Sequence, residues 1–202
     1  MKSDDFGCRP PEPLLCDPGS ESDIAIDNAI ILREKVFELA QSWNGSYFFD
    51  SVLVCEFNEI AMSGIYACAG NFRDRYSAPA GLSAPNHRAV PSLVDEMCDY
   101  ANSHRDSPFH AAAYLLWRIN WIHPFYDGNG RVSRELCHLA VLVETGNTWQ
   151  RPLPAFIADA EDRYIEGLQI ADRSWDGETS NVAELQSWIA ELYIEHNKFP
   201  DD

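Results

Sequence analysis

The densest chemistry in the chain lies in twelve consecutive residues, His123-Pro124-Phe125-Tyr126-Asp127-Gly128-Asn129-Gly130-Arg131-Val132-Ser133-Arg134. Gly128-Asn129-Gly130 at the start of a helix turns several backbone N–H groups toward one point, where the positive end of the helix dipole also favours anions. Glycine suits such a turn because it tolerates positive φ and lets a ligand come close to the backbone. Arg131 and Arg134 lie three apart, so they are expected to share a helix face and to fork together onto the oxygens of a polyphosphate. Asp127 is the kind of single carboxylate that joins water and phosphate in a Mg²⁺ site. His123 has an ordinary pKa near neutrality, which suits it to take a proton from an attacking hydroxyl. Base, metal carboxylate and phosphate clamp together point to phosphoryl or nucleotidyl transfer, in which the protein mostly positions groups and stabilises charge.

Each residue also has a plainer reading. A lone histidine on an apolar helix is usually core, and an aspartate before a helix is usually a turn or cap residue. Their concentration in one segment favours the chemical reading. Two arginines at a helix N-terminus, where the dipole disfavours cations, make sense when an anion compensates them. Phe125 and the tryptophans read as core, and His87, His104, His110, His138 and His196 show no ligand spacing.

These groups need a rigid frame, and the apolar pattern supplies one. Residues 109–122 read apolar nearly all round, which predicts a helix at the centre of the domain. A second strongly apolar helix is expected from about Asn129 to Glu144, with Gly146 as its stop. Further helices are predicted at about Asp23–Trp43, Ser51–Cys68, after Pro91, at Pro154–Trp175 and at Asn181–His196. Between Asn71 and Ala89 no helical period survives among Pro79, Gly81, Pro85 and Asn86, so a short hairpin or ordered loop is expected there. Residues 1–22, rich in proline and acid, read as a disordered tail, and 23–202 as one all-α domain.

Fifteen basic and 32 acidic residues give a net charge of −17. That charge repels nucleic acid and anionic membranes wherever it is not locally reversed. Six scattered cysteines without paired metal spacing read as reduced thiols. With no signal pattern and no membrane-spanning run, the expected location is the cytoplasm, delivery into another cell being left open.

The twelve-residue segment resembles the signature of Fic domains, H-P-F-x-(D/E)-G-N-G-R-x-x-R, and every specified position matches. The resemblance extends through Gly64-Ile65-Tyr66-Ala67-Cys68-Ala69-Gly70-Asn71-Phe72-Arg73 and through Trp117-Arg118-Ile119-Asn120-Trp121-Ile122, covering about residues 50–145, with flanking helices at 23–43 and 154–197. It implies an all-α Fic fold, a helical bundle with a short β-hairpin flap. It also implies protein adenylyltransferase activity, in which AMP passes from ATP–Mg²⁺ to a Ser, Thr or Tyr hydroxyl of a target protein with release of pyrophosphate. In that reading His123 is the general base, Asp127 the Mg²⁺ ligand, and Gly128, Asn129 and Gly130 the anion nest. Arg131 then contacts the β-phosphate and Arg134 the γ-phosphate, while the stretch from about Asp74 to Asn86 is the flap that docks the target. Relatives that use UMP, phosphate or phosphocholine donors keep the same pocket, and a nucleotide-binding regulatory module without turnover is a further alternative.

Many members are inhibited by a helix carrying (S/T)-x-x-x-E-(G/N), whose glutamate pairs with the second motif arginine. No perfect copy is present. Asp23-Ile24-Ala25-Ile26-Asp27-Asn28 offers Asp27, and Ser187-Trp188-Ile189-Ala190-Glu191-Leu192 offers Glu191. Inhibition by a separate partner protein stays open beside them.

Overall fold

The computed structural model describes residues 14–17, 19–42, 48–78, 83–104, 106–146 and 152–196. Helices follow in the order α1 (Glu21–Ser42), α2 (Ser51–Met62), α3 (Val90–Ser103), α4 (Pro108–Ile122), α5 (Asn129–Thr145), α6 (Leu153–Asp159), α7 (Glu161–Ser174) and α8 (Ala183–His196), with a 3₁₀ turn at His87–Ala89. The architecture is an all-α bundle, and no strand occurs among the described residues.

α4 is the centre. Residues 111–119 are all buried, so a helix apolar on every side is surrounded on every side, as its pattern requires. α5 forms its most extensive contact, while α3, α7 and α8 cover the rest of α4. α1 lies across α5 and α2, and α6 closes against α5. Polar side chains fix these contacts at points where apolar packing alone would allow sliding. Trp117 is fully buried, and its indole Nε1 donates to Asp172 Oδ1 at 2.8 Å, tying α7 to α4. Asn28 of α1 is buried and donates through Nδ2 to Ser63 O at 2.8 Å and Ala61 O at 3.3 Å, covering orphan carbonyls at the end of α2.

Helix ends follow local chemistry in several places. Asp50 caps α2 by accepting from Leu53 N at 2.7 Å. Pro108 opens α4, where its missing N–H is harmless. Gly146 ends α5 in the left-handed conformation, with its N–H bonded to Leu142 O.

Two helix bounds need correction, and the hairpin and tail expectations fall partly outside the described residues. α2 stops at Met62 instead of Cys68, because 63–65 and 67–70 fold as turns, with Gly64 and Gly70 at positive φ. The single helix expected over Pro154–Trp175 breaks at Ala160, whose φ of −110° and ψ of 46° lie outside helical values, giving α6 and α7. The expected hairpin has no strand in 71–78 or 83–86, and residues 79–82 lie outside the described ones. Within the segment read as a tail, Leu14 packs on the core, Leu15 N donates to Ile65 O, and α1 begins at Glu21. The remainder, residues 1–13 and 18, lies outside the described ones, as does Trp43, the expected end of the first helix.

Among the described residues Cys16, Cys55, Cys98 and Cys137 are free thiols. No described helix is long and apolar enough to cross a membrane.

Candidate active site

The hairpin of α4 and α5 delivers the motif to one end of the bundle core. His123 terminates α4 with φ 50° and ψ 59°, its N–H donating to Ile119 O at 2.8 Å. Among the described residues it is the one non-glycine with positive φ. Helices commonly make this turn with glycine, and a β-carbon in it costs about 1–2 kcal/mol. A strained histidine where glycine would fold more easily is a functional signal.

Three side chains hold the strained turn. Arg73, 2% exposed, donates from Nε to His123 O at 2.7 Å, from Nη2 to Pro85 O at 2.6 Å and from Nη1 to Arg75 O at 3.1 Å. Its backbone N–H adds a bond to Pro124 O at 2.9 Å. Asn129 closes the loop from within, accepting from Phe125 N at 3.0 Å and donating to Phe125 O at 2.9 Å. Asn58 of α2, 2% exposed, donates to Asp127 O at 2.9 Å and accepts from Gly70 N at 3.0 Å.

His123 is buried, and that burial is the main reason its pKa falls to about 4. The nearby Arg73 charge lowers it further, and Asp127 pulls the other way. The imidazole is therefore neutral at pH 7. Asn129 Nδ2 approaches His123 Nε2 at 3.2 Å. The paired bonds to Phe125 fix the amide orientation, so an N–H faces Nε2 and the ring keeps a lone pair there, with its proton on Nδ1.

Gly128 is the N-cap residue of α5, its φ of 80° is left-handed, and no side chain caps the helix. Its first N–H groups are left for an external acceptor. Asp127 Oδ1 accepts from Gly128 N at 2.6 Å, which fixes the carboxylate beside the cradle. A β-carbon at Gly128 would stand 2.8 Å from both Asn58 Nδ2 and Met62 Sδ. Gly128→Ala is therefore expected to cost about 3 kcal/mol, or roughly 6–12 °C in Tm, from strain plus overpacking. Thermal unfolding would measure it, and an unchanged Tm would mean that α2 yields without cost.

The two arginines line one cavity but take different partners. Arg134 folds back over the cradle, with Nη1 3.2 Å from the position a Gly130 β-carbon would take. Arg131 turns toward α2, donating from Nη1 to Ala61 O at 3.0 Å and approaching Met62 Sδ at 3.1 Å. It satisfies a carbonyl at the C-terminal end of α2, a pull that spacing within α5 could not reveal.

Neither inhibitory candidate reaches Arg134. Asp27 is exposed on α1 and makes no ion pair with it. Glu191 on α8 pairs instead with Arg163 at 2.8 Å.

Two cavities meet at Arg134. The larger, about 250 Å³, is walled by Trp121, Tyr164, Ile165 and Leu168, with Gly130 and Arg134 at its cradle end. Asn120 Nδ2 braces it by donating to Ser133 Oγ and Tyr164 Oη, each at 2.9 Å. Burial raises the Tyr164 pKa in spite of the Arg134 charge, so the phenol stays protonated. Arg118 supports the tryptophan wall from behind, its guanidinium 4.2 Å from the Trp121 ring centre and 4.3 Å from that of Trp175. The second cavity, about 190 Å³, lies between α1, α5 and α6 and is lined by Arg33, Arg131, Arg134 and Glu135. The motif did not disclose the residues that line these cavities outside it, because only tertiary packing brings them together.

A strained, buried histidine thus stands directly before an uncapped helix N-terminus in an all-helical bundle. A family model described as the Fic/DOC family matches residues 48–141. A Fido domain-containing protein of Dictyostelium discoideum is 32% identical over 128 residues, covering 60% of this chain and 86% of the relative. Two solved structures share the fold. A Fic domain-containing signaling protein from Bacteroides thetaiotaomicron aligns with a TM-score of 0.70 at 19% identity, over 88% of this chain and 70% of the other. A Fic family protein from Desulfovibrio desulfuricans aligns with a TM-score of 0.57 at 18% identity, over 93% of this chain and 62% of the other. The chain belongs to the Fic/DOC family.

Proposed function

We propose that the chain is a Fic-type transferase and that it moves AMP from ATP to a hydroxyl of a target protein. The observation that carries this reading is the placement of His123. Its neutral ring is held in a strained turn directly before a helix N-terminus whose N–H groups no side chain caps.

The reaction is a displacement at the α-phosphorus. The target hydroxyl oxygen forms the new P–O bond, its proton passes to His123 Nε2, and the bond to the β-phosphate oxygen breaks to release pyrophosphate. The N–H groups at the start of α5 hold phosphate oxygens, and Arg134 offsets charge on the leaving group. Arg131, anchored on Ala61 O, lines the same arginine-rich cavity and adds positive charge there. Asp127 fits a magnesium site, since Gly128 N fixes one carboxylate oxygen while the other makes no hydrogen bond. Magnesium held by Asp127 and the phosphates would supply further positive charge at the transferring group.

The aromatic cavity suits the nucleoside and the arginine-rich cavity the phosphate tail, because both open onto Arg134. In this reading the segment around residues 74–86 docks the target. Tyr126 Oη bonds Asp74 Oδ1 and Arg73 clasps Pro85 O, so this segment is fastened to the motif at both ends.

The test incubates the purified protein with Mg²⁺, cell lysate and each of four α-labelled nucleoside triphosphates in turn. Label from ATP covalently attached to protein is the expected result. Label from another triphosphate would keep the displacement and replace the base. No label from any of them, with the triphosphates bound, would overturn transfer of a nucleotidyl group.

A further inference from the structure

The motif arginines share their cavity with a third. Ala29, Leu32 and Arg33 form one face of α1, spaced three and four apart, and all three line the 190 Å³ cavity with Arg131, Arg134 and Glu135. The space is several times the ~30 Å³ that one water occupies in the liquid. Three guanidiniums against one carboxylate give 3 − 1 = +2 locally, in a chain whose net charge is −17. Like charges converge in this way when a multiply charged anion is to be held.

Glu135 does not absorb that charge. Arg33 meets it through a single contact, Nη2 to Oε1 at 3.0 Å, although the guanidinium could have used its full fork. Arg33 Nε is buried without a hydrogen-bond partner. The second oxygen of Glu135 lies 3.5 Å from His138 Nδ1. Glu135 thus engages one terminal nitrogen of Arg33, in a cavity that shares Arg134 with the one bordering Gly130.

We propose that Arg33 of α1 is a specificity residue that recognises the terminal phosphate of a triphosphate donor, so that α1 forms part of the donor site. The proposal rests on the nucleotide-transfer reading for the identity of the donor. It gives α1 a role opposite to the inhibitory one sought in its sequence. The same helix that leaves Asp27 in solvent presents Arg33 to the cavity.

The experiment measures equilibrium binding of ATP, ADP and inorganic triphosphate, each with Mg²⁺, to wild type and to two variants. Arg33→Ala removes the guanidinium. Ala158→Glu adds a carboxylate from α6 at an exposed position lining the same cavity, where the fold tolerates it. Loss of one charge-assisted contact is worth about tenfold in affinity. Both variants are therefore expected to weaken ATP and inorganic triphosphate about tenfold while changing ADP less than about twofold. Equal losses for ATP and ADP, or no loss for either, would overturn the proposal. Should Arg33→Ala fail to fold, Ala158→Glu decides alone by the same comparison. Wild type that ignores ATP yet binds inorganic triphosphate, with both variants weakening it, would remove the nucleotide donor and keep the arginine site. Wild type that binds neither removes both.

Discussion

His123→Ala is expected to lower the rate of the proposed covalent transfer about 10³-fold, the scale of a lost general base, and to leave binding of the triphosphate within about twofold of wild type. The split follows from geometry. In the proposed reaction the ring would contribute its lone pair at Nε2, whereas phosphate recognition would fall to the N–H groups of α5 and to Arg134. Single-turnover labelling with calorimetry on the same preparations reads both quantities, and equal loss in both would place His123 in binding instead of chemistry. Alanine also tolerates the turn no better than histidine, so any gain in stability reports relief from burying an ionisable ring.

The pH dependence of His123 gives this prediction a second arm. Its folded pKa of about 4 lies below the ordinary 6.5, so folding favours the neutral ring. The stability it confers is complete above pH 6.5 and is lost as pH falls toward 4, amounting to about 3 kcal/mol across that window. His123→Ala should flatten this part of the stability profile. In the free enzyme the acid limb of kcat/KM is expected near pH 4, and in the complex it moves upward, because the charge of a bound polyphosphate favours the imidazolium.

Arg73→Ala is expected to be the most destabilising single change, by about 4 kcal/mol or roughly 8–16 °C in Tm. The guanidinium satisfies His123 O and Ile122 O in the buried interior and Pro85 O and Arg75 O at its margin. Its removal strands the carbonyl of the strained residue itself. Arg73→Lys cannot restore the fork and is expected to recover less than half of the loss. Because the Arg73 charge helps to hold the His123 pKa down, the histidine should titrate higher in both variants that stay folded, and more so in Arg73→Ala. Proton NMR of the ring reads that shift. A Tm within a degree or two of wild type, with the titration unmoved, would refute the role of Arg73 as the fastener of the turn.

The sequence disclosed most where one residue type carries one physical meaning. The apolar run of 109–122 made α4 central, Gly146 stopped α5, and the twelve-residue motif placed a histidine beside a helix N-terminus. What stayed hidden depends on partners distant in the chain. Nothing local at Ala160 marks a break, for neither proline nor glycine stands there, and the helical period runs through it. Arg131 and Arg134 looked equivalent until Ala61 O drew one of them away. Arg73 stood within the wider resemblance, yet an arginine in a loop resembles a solvated one until its carbonyl partners converge on it. Tyr164, Trp121 and Ile165 read as ordinary helix residues before α4, α5 and α7 close a cavity around them.

Asn58 sets a limit on portability. The amide of this α2 side chain is the rivet between two loops, donating to Asp127 O and accepting from Gly70 N, and it leans on the face that a β-carbon at Gly128 would strike. A designer who grafts residues 123–134 onto another helical hairpin transfers the letters of the motif and leaves its scaffold behind. The smallest transplantable unit also contains α2 and the stretch from Gly70 to Arg73, so the working site is a discontinuous object whose outer parts carry no chemistry of their own.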